Sequence, residues 1–434
     1  MARKANIAST AGGAVVSRYL GMALTFLTFS ILSHMFGKEG LGHYASAFGL
    51  ASTLCYFLGF GAPEGVARLA AAGGRKDAAH RQRLVRSAHG LALLSGAGVI
   101  AVVVAAALLA LPASLRWNTI WTGVWVVGWG INISASLCLI ASGSERAGSF
   151  FFYTAGASLN FVLVLLAMAL GWGPPAVLAI SASSYLALGL IGSVQIWLVL
   201  RREPIAPRGE SQALALVKAG APFSGARIIQ SAALWIPVWG AGLLSGVAAA
   251  GVIGAVMRLA VAAAAAMAAI RLVLRRVIAD QLTSGHYRRL AIMASVSGTI
   301  FAGLTLVGVV LVWFFGDWGL SLLFGKSFAG NRALLCLALI ATAAESQFGI
   351  AEDILKNKGA GLKVMAVQAA AIVLAFGPMF VLRFQDMTAY VGAYVGYVAI
   401  TQAAYVVWLG RARGIWIRPM LSRRVLKTFM RIRH

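Results

Sequence analysis

Acidic residues are scarce in this chain of 434 residues: Asp and Glu together number 12, against 37 Lys and Arg. Charged residues of both signs make up only 11% of the chain, whereas hydrophobic residues make up 60% and the mean hydropathy is +0.85. So little charge excludes an ordinary soluble enzyme and favours a polytopic membrane protein. The basic residues stand between apolar runs, so the net charge of +25 indicates orientation in a membrane rather than a nucleic-acid partner.

Cysteine is also rare. Cys55, Cys138 and Cys336 each lie within an apolar run, and none has a partner at the spacing of a metal site or a disulfide framework. We therefore predict no metal and no cofactor. We also predict no cleaved signal peptide, because Arg3 and Lys4 lead into an apolar run longer than a signal sequence uses and no small-residue cleavage pattern closes it.

Long apolar runs fill most of the chain. A membrane-spanning helix needs about 20 mainly apolar residues, and windows of that length predict twelve spans. The predicted spans cover residues 10–35, 43–70, 87–111, 117–141, 149–171, 175–200, 214–245, 248–274, 291–316, 332–356, 361–382 and 387–409.

The basic residues assign these spans a direction. With both termini in the cytoplasm, and with basic residues at the ends of spans counted with the adjoining loops, the cytoplasmic segments contain 29 of the 37 Lys and Arg, the outer loops contain five and the interiors of the spans contain three. This bias is what the positive-inside rule predicts. The fold class we predict is an all-α polytopic membrane protein with two six-helix lobes related by a pseudo-two-fold axis normal to the membrane. The lobes would be residues 1–206 and 207–410, followed by a basic amphipathic cytoplasmic tail over 411–434.

Three arginines lie in the interior of predicted spans, away from the span ends. Arg18 and Arg227 occupy corresponding depths in the first and seventh spans, and Arg258 enters the eighth span from the opposite side. A charge inside a bilayer is costly and marks a functional site, while pairing with a carboxylate or a helix-end carbonyl is the structural alternative. If they face a water-filled centre, these guanidiniums would bind a diphosphate, because arginine can hold phosphate oxygens in a bidentate manner.

Four further residues within predicted spans are candidates, two for ion coupling and two for a hinge in a helix. Glu64 and Glu345 are potential coupling sites for H⁺ or Na⁺, with a salt bridge to one of the arginines as the alternative. Pro222 and Pro237 bracket Arg227, which predicts a kinked or broken seventh span with a hinge beside the anion site.

Tryptophans repeat every fourth residue along the fourth span, at Trp117, Trp121, Trp125 and Trp129. This spacing produces a stripe along one side of a helix. Facing a cleft, Trp121, Trp125 and Trp129 would stack against sugar rings. Anchoring at the membrane interface and helix packing are the alternatives.

Two early segments carry a family resemblance. Ser17-Arg18-Tyr19-Leu20-Gly21 and Phe36-Gly37-Lys38-Glu39-Gly40-Leu41-Gly42-His43-Tyr44 resemble the first span of Wzx-type polysaccharide flippases, of the multidrug/oligosaccharidyl-lipid/polysaccharide exporter superfamily. Gly61-Ala62-Pro63-Glu64-Gly65-Val66-Ala67-Arg68 is similar to the end of their second span, and Leu323-Phe324-Gly325-Lys326-Ser327-Phe328 to the element before their tenth. Lys38 departs from the family, which commonly has proline there.

The resemblance implies a multi-pass transporter of the bacterial inner membrane. It would move an undecaprenyl-diphosphate-linked oligosaccharide from the cytoplasmic to the outer leaflet, with other surface-polysaccharide assembly proteins as possible partners besides membrane lipids and a coupling ion. A multidrug-type cation antiporter is the alternative within the same architecture, although three arginines suit an anion better. A membrane glycan polymerase or ligase is a third hypothesis, but such an enzyme needs larger outer loops than this chain has.

Overall fold

A computed structural model describes residues 2–72, 78–201 and 212–420, and every regular element within these stretches is helical. The α-helices are α1 (Ala2–Leu54), α2 (Ala62–Ala72), α3 (Ala78–Ala110), α4 (Ala113–Ala141), α5 (Glu145–Phe150), α6 (Gly156–Ala169), α7 (Pro174–Arg201), α8 (Ala213–Leu244), α9 (Val247–Thr283), α10 (Tyr287–Phe324), α11 (Arg332–Phe348), α12 (Ile350–Asn357), α13 (Gly361–Val381) and α14 (Met387–Arg413). Short 3₁₀ segments at Cys55–Gly61 and Lys326–Phe328 and a π-helical segment at Phe151–Ala155 connect some of them.

These helices confirm the predicted all-α multi-pass class. In the described part of the chain, nine helices are long and apolar enough to cross a membrane, or ten when the bent pair α11 and α12 counts as one span. One of the nine, Val16–Val66, covers the first two predicted spans, with non-helical backbone between them at Gly37. Every predicted window therefore coincides with a helix or a helix segment.

The interruptions within spans lie in unexpected places. We predicted a kinked or broken seventh span. Helix α8 runs without a break through Pro222 and Pro237, so the break is not present, while a kink stays a prediction. Neighbouring groups in a membrane protein can satisfy the carbonyl that a proline leaves without a donor. The break lies instead in the second span, where Gly59, Phe60 and Gly61 all have positive φ angles, and the fifth span contains the π-helical segment.

The chain packs as two compact units. Unit 1 consists of residues 1–28 and 46–232, and unit 2 of residues 29–45 and 233–434. In unit 1, α4 packs on α3 and α7, and the shared core includes Leu84, Cys138, Phe151, Leu188 and Leu216. In unit 2, α11 packs on α10 and α14, and its core includes Leu290, Ile350, Val364, Tyr405 and Ile415.

The predicted amphipathic tail differs from the structure at its start. Helix α14 ends at Arg413, Gly414 takes a left-handed conformation, and residues 415–420 follow without regular structure. Ile415 and Ile417 are buried in unit 2, while the backbone amide of Arg418 donates to Ser295 Oγ at 3.0 Å. Buried and exposed side chains alternate from residue 415 to residue 418, as they do in an extended chain, and this part of the tail is not helical. Residues 421–434 lie outside the described part of the chain, and the predicted lobe boundaries stay a prediction.

Candidate functional site

The seventh span places Arg227 beside the irregular part of the second span. Helix α8 approaches that segment so closely that a Cβ atom at Gly220 would collide with the backbone of Gly61, and one at Gly65 would collide with the carbonyl of Leu216. Further along α8, Ser224 Oγ donates to the carbonyl oxygen of Tyr56 at 3.1 Å. The two backbones are therefore held together on both sides of Glu64, and Arg227 projects from the next turn of α8.

Arg227 forms an ion pair with Glu64. Its Nε atom lies 3.2 Å from Glu64 Oε1, and the two side chains are 37% and 13% exposed. The guanidinium carbon also lies over the Tyr56 ring, 5.4 Å from the centroid, and over the Phe152 ring at 5.8 Å. A guanidinium over aromatic faces gains a cation–π interaction while keeping its NH groups available. Arg227 is thus held by a carboxylate and two rings and retains surface accessible to a ligand.

Arg18 reaches the same π-helical segment from the first span. Its guanidinium carbon lies 5.8 Å from the centroid of Tyr153, the residue after Phe152. Phe152, the residue before it, contacts Arg227, with 5.8 Å between the guanidinium carbon and the ring centroid. Consecutive aromatic residues of one π-helical segment therefore contact the two arginines, and both predicted anion-binding residues of unit 1 converge on this turn.

Hydrogen bonds fix the turn in place. Asn132 Nδ2 of α4 donates to the carbonyl oxygen of Phe151 at 3.0 Å, and Thr154 Oγ1 donates to the carbonyl oxygen of Ser17 at 2.6 Å. A Cβ atom at Gly21 would collide with the carbonyl of Tyr153. The π-helical segment is thus bound tightly both to α4 and to the first span. Single π-helical turns occur frequently at functional sites.

We call Arg18, Tyr56, Glu64, Phe152, Tyr153 and Arg227 the arginine cluster. It combines two guanidiniums with one carboxylate, and the two tyrosines supply hydroxyl groups. Such a set has the groups that an anion-binding site needs, and anion binding by it stays a prediction. It contains no nucleophile held by a general base of the kind that covalent catalysis needs.

The third predicted arginine belongs to unit 2. The guanidinium carbon of Arg258 lies 5.0 Å from the centroid of Phe29. Phe29 is fully buried and makes an edge contact with Tyr44, with centroids 5.4 Å apart. Arg258 thus contacts an aromatic ring of its own unit. Its role in binding a diphosphate stays a prediction.

The tryptophan stripe is only partly accessible. Trp117 is 66% exposed, Trp121 and Trp129 are half-buried, and Trp125 has no exposed surface. Trp125 and Trp129 both contact Phe48 and Tyr185, with the shortest centroid distance, 4.7 Å, between Trp129 and Tyr185. Trp125 is closed to a sugar in this conformation. Stacking by Trp121 and Trp129 stays a prediction.

The remaining candidates are dispersed. Glu345 is half-buried in α11 and belongs to unit 2. Pro237 is buried and Pro222 half-buried in the unbroken α8, and their role as a hinge stays a prediction. Within the described residues, no three His, Cys, Asp or Glu side chains are grouped as a metal site would require.

Sequence reasoning missed the aromatic half of the arginine cluster. Tyr56, Phe152 and Tyr153 are ordinary aromatic residues of apolar spans, and only their contacts with arginine distinguish them. The break beside Glu64 had a visible signal, because Gly59-Phe60-Gly61-Ala62-Pro63 places two glycines and a proline within five residues. No comparable signal precedes the π-helical segment.

Comparison with known proteins gives a structural match without a sequence match. No protein-family model matches the chain, and no curated protein matches it either. Among solved structures, a multidrug resistance MATE family transporter of the MOP superfamily, in an inward-facing conformation, aligns with a TM-score of 0.72 at 17% identity, covering 92% of this chain and 97% of that one.

Two further transporters support the same conclusion. The MATE multidrug transporter DinF-BH aligns with a TM-score of 0.66 at 13% identity, covering 94% of this chain and 96% of that one. A MATE protein in complex with MaD3S aligns with a TM-score of 0.65 at 17% identity, covering 93% and 95%. Over nearly its whole length, the chain therefore has the fold of MATE transporters of the MOP superfamily.

Proposed function

We propose that the chain is a flippase that moves an undecaprenyl-diphosphate-linked oligosaccharide from the cytoplasmic to the outer leaflet of a bacterial inner membrane. The observation that carries the proposal is the convergence of Arg18 and Arg227 on one π-helical turn. The lipid headgroup carries two negative charges on its diphosphate, and guanidiniums bind phosphate oxygens through charge-assisted hydrogen bonds.

The charge of the arginine cluster favours an anionic substrate. Arg18 and Arg227 together carry two positive charges, and Glu64 carries one negative charge. A cluster with net positive charge attracts a diphosphate and repels a cation. Trp121 and Trp129 would supply stacking surfaces for the sugars.

A multidrug-type cation antiporter is the second candidate, because the solved structures that share this fold include multidrug transporters. A carboxylate without a counter-ion would favour the binding of a cationic drug. In this chain Glu64 is already paired with Arg227. The charge balance therefore places this candidate second.

The leaflet that holds the lipid-linked sugar in cells separates the candidates. In a strain without this protein, we expect the undecaprenyl-diphosphate-linked oligosaccharide to accumulate on the cytoplasmic side, with no polymer at the cell surface. Loss of an antiporter would instead leave the glycan unchanged and make the strain sensitive to cationic drugs. Loss of a polymerase would leave single oligosaccharide units on the outer side.

Variants connect the phenotype to the site. Arg18→Ala and Arg227→Ala should each fail to restore export although the protein is present in the membrane, because each removes a phosphate-binding group. Arg116→Ala is the matched control, because Arg116 is not part of the arginine cluster. It lies in the first turn of α4, where its Nε donates to the carbonyl oxygen of Leu111. Normal export by both cluster variants would refute the proposed site.

A further inference from the structure

The ion pair between Glu64 and Arg227 has a consequence for any anion that binds there. Glu64 Oε1 is buried, and the Glu64 side chain is only 13% exposed. Its charge is supported by Arg227 and by the N-terminal end of α2, since Glu64 lies in the first turn of that helix. Arg227 is the more accessible partner, with 37% of its side chain exposed.

We propose that Glu64 is an internal counter-ion that competes with the diphosphate for Arg227, and that the protein takes up a proton on Glu64 when the diphosphate displaces it. This inference rests on the proposed function, because it assumes that the anion bound at Arg227 is a diphosphate. It assigns Glu64 a role in the regulation of that site.

The physical argument follows from burial. When phosphate oxygens bind the guanidinium of Arg227 in place of Glu64, the Glu64 carboxylate loses its counter-ion and lies next to a second anion. A buried carboxylate without a partner is costly, and a neighbouring negative charge increases that cost, so the carboxylate becomes neutral. The step balances as Glu64–COO⁻ plus one proton from the aqueous phase giving Glu64–COOH, while no covalent bond of the lipid changes.

Other titratable groups near the pair do not replace Glu64 in this role. Tyr56 and Cys55 belong to the 3₁₀ segment and Tyr153 to the π-helical segment, and the Arg227 guanidinium lies over the Tyr56 ring. A phenol or a thiol that is already neutral has no site for an added proton near neutral pH. On α2 itself, Arg68 follows Glu64 by one turn, and its side chain lies outside the described part of the structure.

The prediction is a linkage between binding and pH. If the bound state holds about one more proton than the free state, the affinity for the diphosphate rises as pH falls. The effect ends when Glu64 is protonated in the free protein as well. Proton uptake at this site would also couple substrate binding to the proton gradient.

The test measures proton uptake directly. The full chain in lipid nanodiscs is titrated with geranyl diphosphate N-acetylglucosamine, a diphosphate diester whose own charge does not change near neutral pH. Titration calorimetry in two buffers with different ionisation enthalpies then gives the number of protons taken up. We expect the wild type to take up protons on binding, and Glu64→Gln to bind about tenfold more tightly, with no uptake, since it lacks the competing charge.

Two variants keep the result interpretable. Glu145→Gln makes the same change on an exposed residue of α5, and it should leave affinity and proton uptake as in the wild type. Glu64→Asp should retain proton uptake, which a merely structural role of Glu64 would not produce.

Two outcomes contradict different parts of the account. Unchanged affinity and unchanged proton uptake in Glu64→Gln would overturn the inference and leave the proposed function standing. No binding of the diester by wild type would contradict the proposed function itself.

Discussion

Trp125 lies at the centre of an aromatic group in unit 1, with Phe48 and Tyr185 against its ring and no exposed surface. Replacement of a buried tryptophan by alanine removes its contacts and leaves a cavity, which costs about 3–5 kcal/mol. We therefore expect Trp125→Ala to lower the thermal unfolding temperature of the purified protein in detergent.

Trp117 provides the control for this prediction. It belongs to the same stripe on α4 but is 66% exposed, so Trp117→Ala should leave the unfolding temperature nearly unchanged. Equal unfolding temperatures for the wild type and Trp125→Ala would show that Trp125 is not packed as described.

Single residues were predictable where their position alone is unusual. Arg18 and Arg227 are charged residues within apolar runs. A charge inside a bilayer costs free energy, so the sequence alone makes both residues candidates for a functional site. The sequence analysis also gave a salt bridge with an arginine as the alternative role of Glu64, and the structure shows an ion pair between Glu64 and Arg227. Tyr153 was not predictable, because its contact with Arg18 depends on how two distant spans pack.

Helix α1 packs on the π-helical segment without space for a side chain at Gly21. A Cβ atom there would collide with the carbonyl of Tyr153, so Gly21→Ala has to separate the two elements and move Arg18 relative to Tyr153. We expect this variant to lose most glycan export in cells although it is present in the membrane. Gly13→Ala in the same helix is the control, because a Cβ atom there meets no other atom within 4 Å. Full export by Gly21→Ala would show that this close approach has no functional role.

Helix α14 begins at an aspartate whose ionisation stabilises it. Asp386 accepts hydrogen bonds from the backbone amide and the hydroxyl of Thr388, at 2.9 and 2.8 Å, and these bonds hold the pKa of the Asp386 carboxyl below its usual value. The stabilisation is therefore present above the pKa of the unfolded chain and is lost as pH falls through the lower pKa of the folded chain.

Hydrogen exchange at the first turn of α14 measures this contribution. Asp386→Ala should speed exchange there at neutral pH, with a cost of about 1 kcal/mol for the lost cap. The wild type should approach the variant only under acidic conditions. Identical exchange at neutral pH would show that the carboxylate does not cap the helix.

At the scale of elements, the sequence predicted the positions of the helices better than their interruptions. The twelve apolar windows coincide with helices because each span needs about 20 apolar residues. The prolines of α8 do not break that helix, and the interruptions at Gly59–Gly61 and in the π-helical segment were not predicted. Likewise, the prediction of an amphipathic tail did not show that Ile415 and Ile417 are buried.

For the whole molecule, composition indicates the class of protein, and the fold shows which solved structures it resembles. The scarcity of charge predicted a multi-pass membrane protein, which the helices confirm. The fold is that of MATE transporters, and these include multidrug transporters. The choice between an anionic lipid and a cationic drug rests on the arginine cluster, since two proteins with one fold can differ in the charge of their sites.

Transport by the purified chain tests this choice most directly. The protein is reconstituted into vesicles that contain a fluorescent undecaprenyl-diphosphate-linked oligosaccharide in both leaflets, and a membrane-impermeant glycosidase reports how much of it reaches the outer leaflet. We predict that the wild type exposes nearly all of the lipid, and that the double variant Arg18→Ala, Arg227→Ala exposes only the outer half. Wild-type vesicles that retain the inner half, yet exchange a cationic dye for protons, would contradict the account.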